Sequence, residues 1–224
     1  MRYTVRRYKG DRTVNIAVTG GLGSGKSTVS RVLANAMSAE HLDTDQLCRQ
    51  QMQPGSHGFT VFTEVFGDRY LFPDGSLNKQ LLRQDVFTDD GVKRDLEKIL
   101  HPLVRMEVAD YYLQCCAAGK NLVVEVPLLF EVGWQDDFDL SVVVFVPEQL
   151  CFNRVAARDG FTVGEIQRVC DAQLPLSEKL KSANFVIDNS GTFVSTVQQI
   201  AWLRKNLQGS EDDGTCAKDR LNII

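Results

Sequence analysis

The 224-residue chain has no unbroken apolar run approaching a membrane span, which excludes a helical integral membrane protein. It has six cysteines (Cys48, Cys115, Cys116, Cys151, Cys170 and Cys216) but no C-x-x-C pair, so the spacing of a zinc ribbon or thioredoxin-like centre is missing. Internal repeats and low-complexity tracts are absent as well. Positive charge is not in excess. The net charge of −4 argues against a protein that wraps nucleic acid, whose phosphate-binding surface must be strongly basic. The one basic stretch, with Arg2, Arg6, Arg7, Lys9 and Arg12, has neither an apolar core nor a small-residue cleavage site. It reads as a frayed terminus rather than a signal peptide or a nucleic-acid arm. Four cysteines lie in apolar periodic stretches, where a free thiol behaves as a small core residue. A reducing, cytoplasmic setting is expected.

What is present is an ordinary globular composition, 43% apolar, enough for one substantial α/β domain with insertions. Val14 to Thr19 is a β-branched run bounded by glycine and reads as a strand. A glycine-dense turn follows, and from Ser27 to Met37 apolar residues recur at Val29, Val32, Leu33, Ala36 and Met37, a helical spacing. A second strand ends near Leu42–Asp43. From Ser56 to Ala118 no strand pattern appears. Phe59, Phe62, Val65 and Phe66 share one helix face, a Pro73-Asp74-Gly75 turn follows, and Leu81, Leu82, Val86 and Phe87 suggest another helix. Pro102 is expected to open a helix, where its missing N–H costs least. Near-continuous apolar runs at 121–126 and 140–146 have the character of parallel strands buried on both faces. Helix 148–157, strand 185–188 and helix 192–207 complete a parallel three-layer α/β domain.

Chemistry concentrates first at Gly20-Gly21-Leu22-Gly23-Ser24-Gly25-Lys26-Ser27, which fits G-x-x-x-x-G-K-[ST] at every defined position. Glycines allow the backbone to turn successive N–H groups inward around a phosphate, and the helix that follows adds its positive end. Lys26 offers an ammonium to the β- and γ-phosphates of ATP, and the Ser27 hydroxyl is the Mg²⁺ ligand. A strand before this motif and a helix after it are the context that gives it meaning. The cradle alone does not separate kinase from GTPase or motor ATPase. No Asn-Lys-x-Asp guanine reader is present, and a small chain with an inserted helical block suits a kinase with a separate acceptor site. The second concentration is Asp43-Thr44-Asp45, two carboxylates at the carboxyl end of a strand, where α/β sheets bind ligands. The pair is expected to include a carboxylate that accepts the acceptor hydroxyl's proton, the alternative being that one Asp simply caps the next helix; spacing alone does not say which of the two is functional.

From about Val14 to Gly191 the chain resembles the dephospho-CoA kinase family. The resemblance is carried by Thr19 to Thr28, Asp43-Thr44-Asp45, Val86-Phe87, His101-Pro102, Val126-Pro-Leu-Leu-Phe-Glu131, Gln173 and Val186-Ile-Asp-Asn-Ser-Gly191. It implies a three-layer P-loop kinase fold with a five-stranded parallel sheet, an inserted helical acceptor domain and a lid. It divides the chain into a basic extension (1–12), a nucleotide-binding core (13–58, 120–155 and 184–208), a helical acceptor domain (59–119), a lid (156–183) and a flexible tail (209–224). The implied activity is transfer of the ATP γ-phosphate to the 3′-hydroxyl of dephospho-CoA with Mg²⁺. In that assignment Asp45 is the base, Lys26 and Arg158 serve the transferring phosphate, and Gly20 to Thr28 with Asn189 and Gly191 bind ATP. Asp43, His101, Pro102, Pro127 and Leu128 face the acceptor. Two departures affect acceptor detail: Asn184 stands where an acid is usual, and Lys79 where an arginine is common. The expected partner is a small molecule, without nucleic acid or membrane, and the expected state is a monomer or weak homo-oligomer. The alternatives are another small-molecule or nucleoside monophosphate kinase, or a non-catalytic ATP sensor.

Overall fold

A computed structural model describes residues 13–159 and 162–208. The basic extension and the C-terminal tail expected from sequence lie outside the described residues. In chain order the elements are β1 (Asn15–Gly20), α1 (Lys26–Met37), β2 (Glu40–Asp43), α2 (Thr44–Gln51), α3 (His57–Phe66), α4 (Lys79–Thr88), α5 (Asp90–Ala117), β3 (Leu122–Glu125), β4 (Leu140–Phe145), α6 (Glu148–Asp159), α7 (Val163–Asp171), α8 (Leu176–Ser182), β5 (Phe185–Asp188) and α9 (Phe193–Gln208). Short 3₁₀ turns occupy Gly67–Tyr70 and Gln135–Asp137. The chain divides into two compact units, one running to Leu42 and resuming at Cys115, the other spanning Asp43–Gln114.

The first unit is built on a five-stranded parallel sheet in the order β2-β3-β1-β4-β5. β1 pairs in parallel with β3 (Ile16 opposite Val123) and with β4 (Val18 opposite Val142), and β4 pairs with β5 (Val144 opposite Ile187). Every residue of β1 and β3 is buried, which is why these runs are mostly apolar rather than alternating, with polar residues only near their ends (Asn15, Thr19 and Glu125). Ile16, Val18, Val142, Val144 and Ile187 of the sheet form one core with Val29 and Leu33 of α1 and Ile200 and Leu203 of α9. Burying each such side chain contributes roughly 1.5–3 kcal/mol. Asn184 accepts at Oδ1 from the Ser141 N–H and hydroxyl, both at 2.8 Å, so at this departure from the family an uncharged amide ties the entry of β5 to β4.

The second unit is helical, its core formed by Phe62, Tyr70, Leu82 and Val92. Phe66 packs against Phe62 (centroids 4.9 Å) and stands edge-on to Tyr70 (5.5 Å). The buried Tyr70 hydroxyl donates to Asp85 (2.9 Å), which also holds Arg69 (2.7 Å). The expected turn at Pro73–Gly75 is present, closed by Phe72 N–H to Ser76 O at 2.8 Å. One expectation fails. Pro102 does not open a helix but lies inside the 28-residue α5. Its ring removes one N–H and favours a break, yet the buried positions Leu100, Val104 and Val108 recur every fourth residue straight through it. The continuous apolar stripe outweighs the one missing hydrogen bond. No helix among the described residues is long and apolar enough to cross a membrane.

Candidate active site

The loop between β1 and α1 takes its shape from two glycines. Gly23 (φ +75°) and Gly25 (φ +81°) are left-handed, a conformation that costs other residues about 1–2 kcal/mol. Ser24 N–H closes a turn onto Gly21 O at 3.2 Å. Gly25 then precedes α1 without any side-chain cap, and the first turn of α1 carries no acid. The helices of the second unit differ. Asp43 caps α2, Ser56 caps α3 and Asn78 caps α4, each through a side-chain oxygen. No side chain of the loop neutralises the positive end of α1, and the helix dipole favours an anion there.

The loop is held from behind. Asn189, just past β5, donates from Nδ2 to Ser24 O (2.8 Å), and its Oδ1 accepts from the Thr196 hydroxyl (2.9 Å). Its own carbonyl accepts from Arg154 Nη2 of α6 (3.1 Å). A methyl group at Gly25 would stand 2.5 Å from Asn189 Nδ2, so the glycine is required by close approach as well as by φ. Gly191, two residues on, is exposed.

Ser27, in the first turn of α1, donates to Glu125 Oε1 at 2.7 Å. Glu125 ends β3 and is 3% exposed. The buried Ser30 hydroxyl lies 3.3 Å from Glu125 Oε2 and 2.9 Å from His41 Nε2. A hydroxyl fixed against a buried carboxylate is a hard-oxygen donor set suited to Mg²⁺. Glu125 is not among the site residues expected from the sequence, yet the fold sets it against Ser27 of the phosphate loop's helix. Its signal was visible as an acid closing the apolar run Leu122-Val-Val-Glu125, but that run was read only as a buried strand.

The two early carboxylates separate in role. Asp43 Oδ1 accepts from the N–H groups of Asp45 (2.9 Å) and Gln46 (3.3 Å), so Asp43 is the cap of α2. Asp45 is an exposed residue of the first turn, and capping does not account for it. His101 lies within α5, and burial pushes its pKa below the usual histidine value, partly opposed by the Glu97 carboxylate. Its neighbour Pro102 shares that helix. Arg158 is exposed in the last turn of α6. Pro127 and Leu128 are half-buried just past β3, and Pro127 O accepts from the Thr19 hydroxyl at 3.1 Å.

The chain as a whole is similar to known proteins. The dephospho-CoA kinase family model matches residues 14–195. A dephospho-CoA kinase of Desulfotalea psychrophila is 37% identical over 187 residues, covering 84% of this chain and 94% of its own. One from Geobacillus kaustophilus is 34% identical over 201 residues, covering 89% and 99%. Among solved structures, the Thermus thermophilus protein TT1252 superposes with a TM-score of 0.74 at 29% identity, covering 86% of this chain and 96% of its own. The dephospho-CoA kinase of Campylobacter jejuni shares the fold with a TM-score of 0.62 at 24% identity, covering 84% and 94%.

Proposed function

The chain belongs to the dephospho-CoA kinase family, and from that premise we propose how its own residues carry the γ-phosphoryl group of ATP to the 3′-hydroxyl of dephospho-CoA. The reaction is the ATP-dependent phosphorylation that ends coenzyme A biosynthesis. The carrying observation is the uncapped, acid-free start of α1 beside a serine held on a buried glutamate.

The amides of Gly20 to Thr28 and the positive end of α1 bind the phosphate tail, with Lys26 at the first helical position adding a mobile cation. Asn189 keeps the loop in register from behind, and Gly191 borders the adenine. Ser27, oriented by Glu125, would hold Mg²⁺, which would supply charge neutralisation on the phosphate oxygens. Asp45 accepts the proton of the ribose hydroxyl as that oxygen bonds to γ-phosphorus and the bond to the β-phosphate oxygen breaks, releasing ADP. Arg158 of the lid screens the transferring oxygens. Asp43, besides capping α2, borders the acceptor together with His101, Pro102, Pro127 and Leu128. Closure excludes water, which otherwise competes for the phosphoryl group. The net charge of −4 supports a small-molecule acceptor rather than nucleic acid, and we place the enzyme in the cytoplasm.

The test is Asp45→Asn with purified protein. Coenzyme A formation from dephospho-CoA is expected to fall on the order of 10²–10⁴-fold, the usual worth of a positioned base, with ATP affinity retained. Unchanged turnover refutes the assignment of the base, and wild-type protein that turns over only AMP or a nucleoside refutes the acceptor.

A further inference from the structure

The least expected charge in the first unit is Lys179. It lies in α8 and its side chain is 1% exposed. Its Nζ sits 2.7 Å from Glu131 Oε1 and 3.4 Å from Pro127 O. The same Glu131 oxygen accepts from the Leu174 N–H at 2.9 Å. Glu131 Oε2 is buried without a hydrogen-bond partner, so this carboxylate depends on Oε1 and on the lysine for its compensation.

A buried ion pair is weak evidence for stability, because desolvating both charges offsets most of their attraction. What it supplies is geometry. One carboxylate oxygen grips the backbone where the chain leaves α7 and, five residues later, the ammonium of α8. Both grips fall on the returning arm of segment 156–183, and Glu131 closes the Pro127 loop that follows β3. Pro127 O takes Lys179 from one side and the Thr19 hydroxyl from the other, and Thr19 is the residue before the phosphate loop begins. A continuous set of polar contacts thus runs from Leu174 through Glu131, Lys179 and Pro127 to the end of β1.

We propose that Glu131 and Lys179 are positioning residues, forming the fixed pivot against which the lid closes and setting its register to the phosphate loop. This rests on the lid assignment made above. The pivot holds the C-terminal arm, while α6, on the other arm, carries Arg158. Loosening the pivot leaves nucleotide binding at the loop intact but lets the lid close out of register. Water then reaches the γ-phosphate, and ATP is hydrolysed to ADP and phosphate instead of yielding coenzyme A.

The experiment uses the full chain and the variants Lys179→Met and Glu131→Gln, the latter keeping an acceptor for Leu174 N–H while removing the charge. Three quantities are read: ADP affinity, the ratio of coenzyme A formed to phosphate released, and proteolytic cleavage between residues 159 and 174 with and without ADP plus dephospho-CoA. In wild type, ligands are expected to protect that segment. In both variants ADP affinity stays within about threefold of wild type, the transfer-to-hydrolysis ratio falls about tenfold, and protection is lost, as expected when closure no longer excludes water. A folded variant that keeps both the ratio and the protection overturns the pivot. So does failure of both variants to fold at assay temperature, which makes the pair purely a stability element. Absence of ligand protection in wild type refutes the lid reading itself, and the pivot with it.

Discussion

The motif G-x-x-x-x-G-K-[ST] treats Gly21 and Gly23 alike, as unconstrained positions, but the folded chain does not. Gly23 is left-handed, and a Cβ there would lie 2.7 Å from Val155 Cγ2 and 2.8 Å from Cys151 O. Gly21 is not left-handed, and its Cβ would meet nothing within 4 Å. For Gly23→Ala the left-handed backbone costs about 1–2 kcal/mol. The methyl also overlaps a backbone carbonyl that cannot swing aside as a side-chain tip can, adding about 1–3 kcal/mol of overpacking. The sum, about 2–5 kcal/mol, corresponds to a fall in Tm of roughly 4–20 °C for a chain of this size. Gly21→Ala is expected to stay within about 0.5 kcal/mol of wild type, as for an open surface position. The assay is a thermal scan of both variants, with ADP titration by calorimetry to follow the loop. Gly23→Ala should also weaken ADP binding, because relief of the overlap moves the loop backbone. Equal Tm values for the two variants, or a Gly23→Ala protein within about 2 °C of wild type, refute the steric reasoning.

Glu125→Gln keeps the shape beside Ser27 but replaces a charge-assisted hydrogen bond with a neutral one. That difference of about 1–1.5 kcal/mol is expected to raise the Mg²⁺ concentration needed for half-maximal activity by about tenfold, and Mn²⁺ binding to the ADP complex should weaken in parallel. Unchanged Mn²⁺ affinity argues that Glu125 serves only the fold. Cys48 on α2 is pushed up to about 11 from the ordinary 9.0, by burial first and then by the Asp45 carboxylate. At pH 8 its thiolate is about 100-fold scarcer than for an unperturbed thiol, so peptide-mapped alkylation at Cys48 should be slower by about that factor in the native protein. Because the folded value lies above the unfolded one, the stabilising contribution is complete below pH 9 and is lost as pH rises through 9 to 11. Rapid alkylation of Cys48 at pH 8 in the folded state contradicts that environment.

Local pattern carried much of this protein unaided. β5 is Phe185–Asp188 as read from its apolar run, and β1, β3 and β4 fall within one residue of expectation at each end, because buried parallel strands are written as short β-branched stretches with abrupt ends. The phosphate loop was equally legible, since its glycines and lysine are adjacent in the chain and its backbone geometry is local. Tertiary structure decided what depends on residues far apart. Asn189 reaches Ser24 across 165 positions and Glu125 reaches Ser27 across 98, and no periodicity or turn rule encodes such a meeting. Only burial over the whole stripe Leu100-Val104-Val108 carries α5 through Pro102 against the proline's own preference. Which of Asp43 and Asp45 caps α2 also waited on the fold, since either carboxylate has the chemistry of a cap and only the backbone's direction at the start of α2 selects Asp43. Propensity acts over a few residues; the contacts that orient this site are made by segments that sheet formation brings together.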